Sequence, residues 1–129
     1  MTTDIQCFTE IANAPKAVGP YSPAVKAGNM YFLSGQVGLD PESGKIVGSD
    51  ITAQTKQVLN NLQTVLTGLG LSFKNVVKST IFLTSLSNFQ TVNAIYAEAL
   101  GDHKPARSTI EISALPLGAI VEIEMIAVK

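Results

Sequence analysis

Two runs of regular alternation near the C-terminus constrain this chain more than any other feature. In Pro105-Ala106-Arg107-Ser108-Thr109-Ile110-Glu111-Ile112, and again in Val121-Glu122-Ile123-Glu124-Met125-Ile126-Ala127-Val128, side-chain character follows the period of two that marks a strand. A turn centred on Leu115-Pro116-Leu117-Gly118 separates them. On that period Arg107, Thr109, Glu111 and Ser113 share one face of the first strand, opposite Ser108, Ile110 and Ile112. In the second, Glu122 and Glu124 oppose Val121, Ile123 and Met125. The polar faces therefore hold one arginine and several carboxylates, a pattern that serves either a solvated surface or a site.

Composition narrows what such a face can be. The 129 residues suit one domain, expected to span 1–129, and 46% hydrophobic residues are enough for a core. Nine basic against ten acidic residues leave no excess positive charge for a phosphate backbone, which argues against nucleic acid as a partner. A single cysteine, Cys7, has no intrachain disulfide partner, and the chain shows neither a signal-like N-terminus nor a long apolar span. A cytoplasmic protein with no membrane partner is expected, a mitochondrial location being left open. Only 15% of the residues are charged, low for a small monomer wetted on every side, so self-association is expected.

Read in order, Asp4 to Thr9 alternates weakly, and Ala12 to Pro23 holds three prolines and a glycine, reading as loop. Ala24–Ala27 and Met30–Val37 form a hairpin across Gly28-Asn29. Alternation places Ser34 and Gln36 on the face of Met30 and Phe32, with Gly35 marking a bulge or a close approach to the backbone. After turn residues Asp40–Lys45, Ser49-Asp50 offers an N-cap to a helix. Its stripe is Ile51, Thr55, Val58, Leu62, Val65 and Leu69, and Gly68 and Gly70 end it. A β-branched strand follows over Val76–Thr84. Ser87 and Gln90 predict a capping box for a second helix with stripe Phe89, Val92, Tyr96 and Leu100, stopped by Gly101. The order ββ, α, β, α, ββ gives a mixed sheet of five or six strands with two helices on one face. The other face, bearing Met30 and Phe32, would be bare in a monomer.

Chemistry has few candidates. The one histidine, His103, lies in a Gly-Asp-His-Lys-Pro turn far from Cys7 and reads as a solvated loop residue, and no His/Cys/carboxylate cluster has metal-ligand spacing, so no metal is expected. What remains is an arginine on one strand and a glutamate on another, with Tyr21, Ser34, Gln36 and Asn93 as possible contributors. Arginine grips a carboxylate through two parallel hydrogen bonds, and a glutamate in a half-desolvated cleft accepts a proton. Arg107 and Glu122 equally fit a structural pair across the sheet, and Tyr21 a loop anchor.

The combination Pro105-Ala106-Arg107-Ser108-x-Ile110, then Leu115, then Val121-Glu122-Ile123 resembles the signature of the reactive-intermediate imine/enamine deaminase (Rid) family, once described as translation inhibitors. Gly19-Pro20-Tyr21, Ser34-Gly35-Gln36 and Val92-Asn93 agree in order, so the likeness covers essentially the whole chain. The resemblance implies a chorismate-mutase-like α+β fold of the bacillus type, with a mixed sheet of about six strands and two helices on one face. It further implies a homotrimer around a barrel-like core, with three clefts between neighbouring subunits.

Carried over by position, the resemblance puts the substrate carboxylate on Arg107 and a water or proton relay on Glu122. Pocket contacts fall to Tyr21, Ser34, Gly35, Asn93 and Thr109. Thr109 stands where many deaminase members have cysteine, which bears on substrate preference and thiol sensitivity. The implied reaction is cofactor-free hydrolysis of 2-imino acids, such as 2-iminobutanoate and 2-iminopropanoate, to 2-keto acids and ammonia. The alternative is a silent trimer binding small carboxylates or partner proteins, with RNA cleavage third.

Overall fold

Gly28, at φ +62, and Asn29 turn the chain between β2 (Ala24–Ala27) and β3 (Met30–Val37) in the computed structural model, which describes residues 4–129. The weakly alternating N-terminal segment adds β1 (Ile5–Phe8) along the outer side of β2. The remaining elements are α1 (Ile51–Gly68), β4 (Val76–Leu83), α2 (Phe89–Leu100), β5 (Ala106–Glu111) and β6 (Val121–Val128). They build one sheet in the order β1-β2-β3-β6-β4-β5, antiparallel throughout except for the parallel β4–β5 pair that α2 connects.

The core lies between this sheet and the two helices. Val58, Leu62, Val65 and Leu66 of α1 and Val92 and Tyr96 of α2 pack onto Leu33, Ile81, Leu83, Val121, Ile123 and Met125. Asp50 caps α1 by accepting from Ala53 N–H at 3.0 Å. The helix ends in a Schellman motif, with Gly70 at φ +77 and Leu71 N–H donating to Leu66 C=O at 2.8 Å. The capping box expected at Ser87 does not form, because Ser87 belongs to a 3-10 turn, Leu86–Asn88, that precedes the helix. Its hydroxyl pairs with Ser85, and the Glu111 carboxylate accepts from Leu86 N–H at 2.8 Å.

The chorismate-mutase-like fold expected from the resemblance is not the one adopted. The chain places β6 at the sheet centre between β3 and β4, carries the β1–β2–β3 meander on one side and closes the other with the parallel β5. Alternation and turn chemistry define elements singly, whereas strand order depends on long-range ladders that several arrangements of the same elements satisfy. The face away from the helices carries exposed Met30 (37%), Phe32 (41%) and Ile110 (44%), a spread of large apolar side chains open to water.

Candidate functional site

Arg107 and Glu122 lie on opposite faces of the sheet. Along the inner row Arg107 is register partner to Ser79, which pairs with Met125; along the outer row Ile110 pairs with Phe82, which pairs with Glu122. The pairing of Arg107 with Glu122 across one face is therefore absent within the chain. Each residue faces its own cavity: Asn93 lines that of Arg107, Tyr21 and Gly35 line that of Glu122, and Ser34 and Thr109 line neither.

The Arg107 side is built by β5 and α2. Its place beside the inward-facing Ser79 directs the guanidinium toward the helix, where its carbon lies 5.7 Å from the Phe89 ring centroid and 5.1 Å from that of Tyr96. Tyr96 hydroxyl donates to the buried Ser79 hydroxyl at 2.9 Å. Burial raises the Tyr96 pKa, opposed by the Ser79 hydrogen bond and the Arg107 charge. A cavity of about 460 Å³ opens here, lined by Asn93, Tyr96, Leu100, His103 and Arg107 among others. His103 is not the free loop residue expected, since its Nε2 lies 2.6 Å from Val76 C=O. Thr109, two residues on from Arg107, keeps a buried hydroxyl oxygen without a hydrogen-bond partner. Such a group costs about 1–3 kcal/mol and is retained where something compensates it.

The Glu122 side is built by β6, β3 and the loop before β2. A bulge between Leu33 and Gln36 adds one residue to β3 and reverses its facing. Gln36, expected beside Met30 and Phe32, is turned inward and buried, and Val37 takes the place opposite Glu122. Gly35 fulfils both of its expected roles, for it sits in the bulge and a Cβ there would lie 2.8 Å from the Glu122 carboxyl carbon. Ser34 hydroxyl donates to Ser22 C=O at 2.6 Å, tying the proline-rich loop to the strand and holding Tyr21 at the cavity mouth. The cavity, about 110 Å³, is lined by Tyr21, Gly35, Val37, Leu117 and Glu122, with Val18 at its edge. Burial first, and the nearby Glu124 charge second, raise the Glu122 pKa. That is the condition of a carboxyl suited to exchange protons.

Two buried polar side chains that the alternation pattern does not single out fix the walls. Gln54 on α1 donates to Gly48 C=O at 2.6 Å and accepts from Ile120 N–H at 3.0 Å. Asn61 donates to Val37 C=O at 3.2 Å and Leu39 C=O at 2.9 Å. Both lie on the helical stripe at apolar spacing, so the signal was a polar residue where the pattern calls for a hydrophobic one. Among the described residues no group of three or more His, Cys, Asp and Glu side chains could hold a metal ion. No helix among them is long and apolar enough to cross a membrane.

Comparison with known proteins accords with this geometry. A family model described as Endoribonuclease L-PSP matches residues 11–129. A mouse 2-iminobutanoate/2-iminopropanoate deaminase is 43% identical over 129 residues, covering all of this chain and 96% of its own. A solved Thermotoga maritima structure is 50% identical with a TM-score of 0.92, covering 96% of this chain and 98% of its own. A solved protein of the conserved Rid family from Yersinia pestis is 45% identical with a TM-score of 0.94, covering 98% of this chain and all of its own. These structures, and not chorismate mutase, describe the sheet and its helices. With a family model spanning nearly its whole length and relatives far above the identity at which families separate, this chain belongs to the Rid family of Endoribonuclease L-PSP-like proteins.

Proposed function

We propose that this chain is a 2-iminobutanoate/2-iminopropanoate deaminase, hydrolysing reactive 2-imino acids and their enamine tautomers to 2-keto acids and ammonia. We further infer that it does so as a homotrimer, in clefts closed between neighbouring copies. The observation that carries the reading of the site is the separation of Arg107 and Glu122 onto opposite sheet faces. One chain presents a carboxylate grip and a proton-exchanging carboxyl but holds them apart. A second copy whose Glu122 face meets the first copy's Arg107 face completes the constellation, and a cyclic arrangement repeats that contact in every subunit. The exposed apolar side chains Met30, Phe32 and Ile110 give the association its driving force. The activity itself follows the whole-length likeness to the mouse deaminase.

In that cleft the Arg107 guanidinium holds the substrate carboxylate through paired hydrogen bonds, with Asn93 beside it. Glu122 takes a proton from a water molecule as the water oxygen bonds to the imine carbon, and then gives that proton to the former imine nitrogen, giving a neutral carbinolamine and the free carboxylate. Proton transfer from the hydroxyl to nitrogen then breaks the C–N bond, leaving the 2-keto acid and ammonia. Water enters, no electrons are exchanged and no cofactor is needed. Imines already hydrolyse in water, so orientation and one placed proton-transfer group, each worth ~10²-fold or more, provide ample acceleration. RNA cleavage is disfavoured by a net charge of −1 and by the tethering of the only histidine to a backbone carbonyl.

The test is a coupled assay in which an amino-acid dehydratase releases 2-iminobutanoate or 2-iminopropanoate and loss of the imine is followed with and without this protein. Faster loss is expected. No acceleration, together with tight binding of 2-keto acids, would leave a silent carboxylate-binding protein.

A further inference from the structure

Arg107 owes its position to its surroundings. Its guanidinium leaves β5 on the buried side of the sheet and lies within cation–π range of two rings from one helix, Phe89 and Tyr96. Those residues are seven apart, two turns of α2, so they stand one above the other on the face that meets the strand. Tyr96 is buried and does not turn freely, because its hydroxyl donates at 2.9 Å to Ser79, fully buried on β4. Ser79 is also the register partner of Arg107 on the neighbouring parallel strand. The ring beneath the guanidinium is thus fastened to the strand that lies alongside the guanidinium's own backbone. A closed circuit results, running from β5 to β4 through the ladder, from Ser79 to Tyr96 through a hydrogen bond, and from Tyr96 back to Arg107 through the ring face.

We infer that Tyr96, anchored by Ser79 and assisted by Phe89, is a positioning residue that holds the Arg107 fork in the orientation in which it receives a carboxylate. This rests on the reading of Arg107 as the carboxylate grip and adds what aims it. A ring face attracts the cation but offers no lone pair in the guanidinium plane, so it fixes the group while leaving its N–H donors for the ligand. A carboxylate in the same place would fix the arginine equally well and consume those donors. The aromatic support therefore orients the arginine without occupying it.

The variants that separate this role from simple packing are Tyr96→Phe, Tyr96→Leu and Phe89→Leu, each compared with wild type after thermal melting and sedimentation confirm folding and assembly. Two readouts are needed, the Kd for pyruvate by calorimetry and the KM and kcat for 2-iminopropanoate. The carboxylate is held in both ground and transition states, so loss of the support should act on binding. Tyr96→Leu is expected to raise Kd and KM by ~10-fold with kcat within about threefold, and Tyr96→Phe, which keeps the ring and loses only its anchor, to fall between it and wild type. If Tyr96→Leu fails to assemble, Phe89→Leu, at the half-buried second ring, is expected to raise both constants about threefold. Unchanged Kd and KM in a folded Tyr96→Leu or Phe89→Leu protein, or a fall in kcat alone, overturns the inference. Pyruvate binding that follows this order in a protein without imine hydrolysis would sink the deaminase reading and leave the positioning role standing. No pyruvate binding by wild type would overturn the positioning role, whereas the deaminase reading falls only if imine loss is not accelerated.

Discussion

A methyl group on Gly35 would stand 2.8 Å from the carboxyl carbon of Glu122, closer than unbonded carbons approach. The glycine thus defines where the carboxyl rests. Glu122 ends in a flexible side chain that can swing away, so Gly35→Ala should cost only about 1 kcal/mol of stability, at the low end for an overpacked site. Displacing a proton-transfer group by an ångström is far more serious for chemistry. Imine hydrolysis is expected to fall ~10²-fold while the denaturation midpoint barely moves. A fully active Gly35→Ala protein would show that the position of Glu122 does not matter to the reaction.

Arg107 gives the second prediction. Arg107→Lys keeps the charge and loses the planar fork, and Arg107→Ala loses both. Removing a charge-assisted grip on a desolvated carboxylate should cost roughly 2–4 kcal/mol, or ~30- to 1000-fold in kcat/KM, with the lysine variant nearer the lower figure. Steady-state kinetics on assembled variants measures this, and near-wild-type turnover by Arg107→Ala would move the site elsewhere.

Opposite sheet faces make a third prediction about pairs of subunits. Arg107→Ala and Glu122→Gln proteins, each inactive alone, are to be mixed, unfolded and refolded together. In a threefold ring whose clefts take Arg107 from one copy and Glu122 from the next, every mixed ring has one intact cleft, so an equimolar mixture should recover about a quarter of wild-type activity. A site contained within one chain recovers none. Sedimentation equilibrium of the unmutated protein should report about three times its 13.6 kDa.

The raised pKa of Glu122 gives the fourth. If the ionised carboxyl accepts a proton from water, kcat/KM rises with pH through that pKa, above the usual carboxylate value of 4.5, and then levels. Glu124→Gln removes the weaker of the two causes and should shift this limb to lower pH, while Glu122→Gln should abolish it. The stability effect has a definite sign. Folding favours the protonated form, so the contribution is complete below the unfolded pKa and is lost as pH rises through the folded one. Glu122→Gln should therefore gain stability relative to wild type on going from about pH 4 to about pH 7, as read from denaturant midpoints.

Cys7 gives the last. It is exposed on the edge strand β1 and lines neither cavity. Cys7→Ser should hydrolyse imines at the wild-type rate, and a thiol-directed reagent should leave activity intact. Lost turnover in a folded, assembled Cys7→Ser protein would reassign the chemistry.

Much of the architecture could be read locally. The Asp50 cap, the Gly70 stop, the Gly28-Asn29 turn and the buried stripes of both helices each depend on residues within a few positions of one another. What could not be read depends on distant partners. Ser87 has the spacing of a capping box, but Ser85 and Glu111 engage the turn instead. Alternation sorts Arg107 from Ser108 yet does not say which face meets the helices, so the separation of Arg107 from Glu122 emerges only from the ladders. Gln36 follows the alternation as far as Leu33 and then departs from it, because one added residue cannot be recognised without the strand it is measured against.

That added residue makes the cavity beside Glu122 depend on the length of β3 as much as on its side chains. Deleting either Ser34 or Gly35 would restore uninterrupted pairing with β6 and leave every side chain beyond it on its present side, yet it would remove the extra backbone unit that lies against the Glu122 carboxyl. Gln36 would stay inward opposite Ile123, and Val37 outward opposite Glu122. A lineage carrying this site can therefore vary the composition of β3 but not its count, and a one-residue insertion or deletion there should be rarer than the same event in the turn at 40–45.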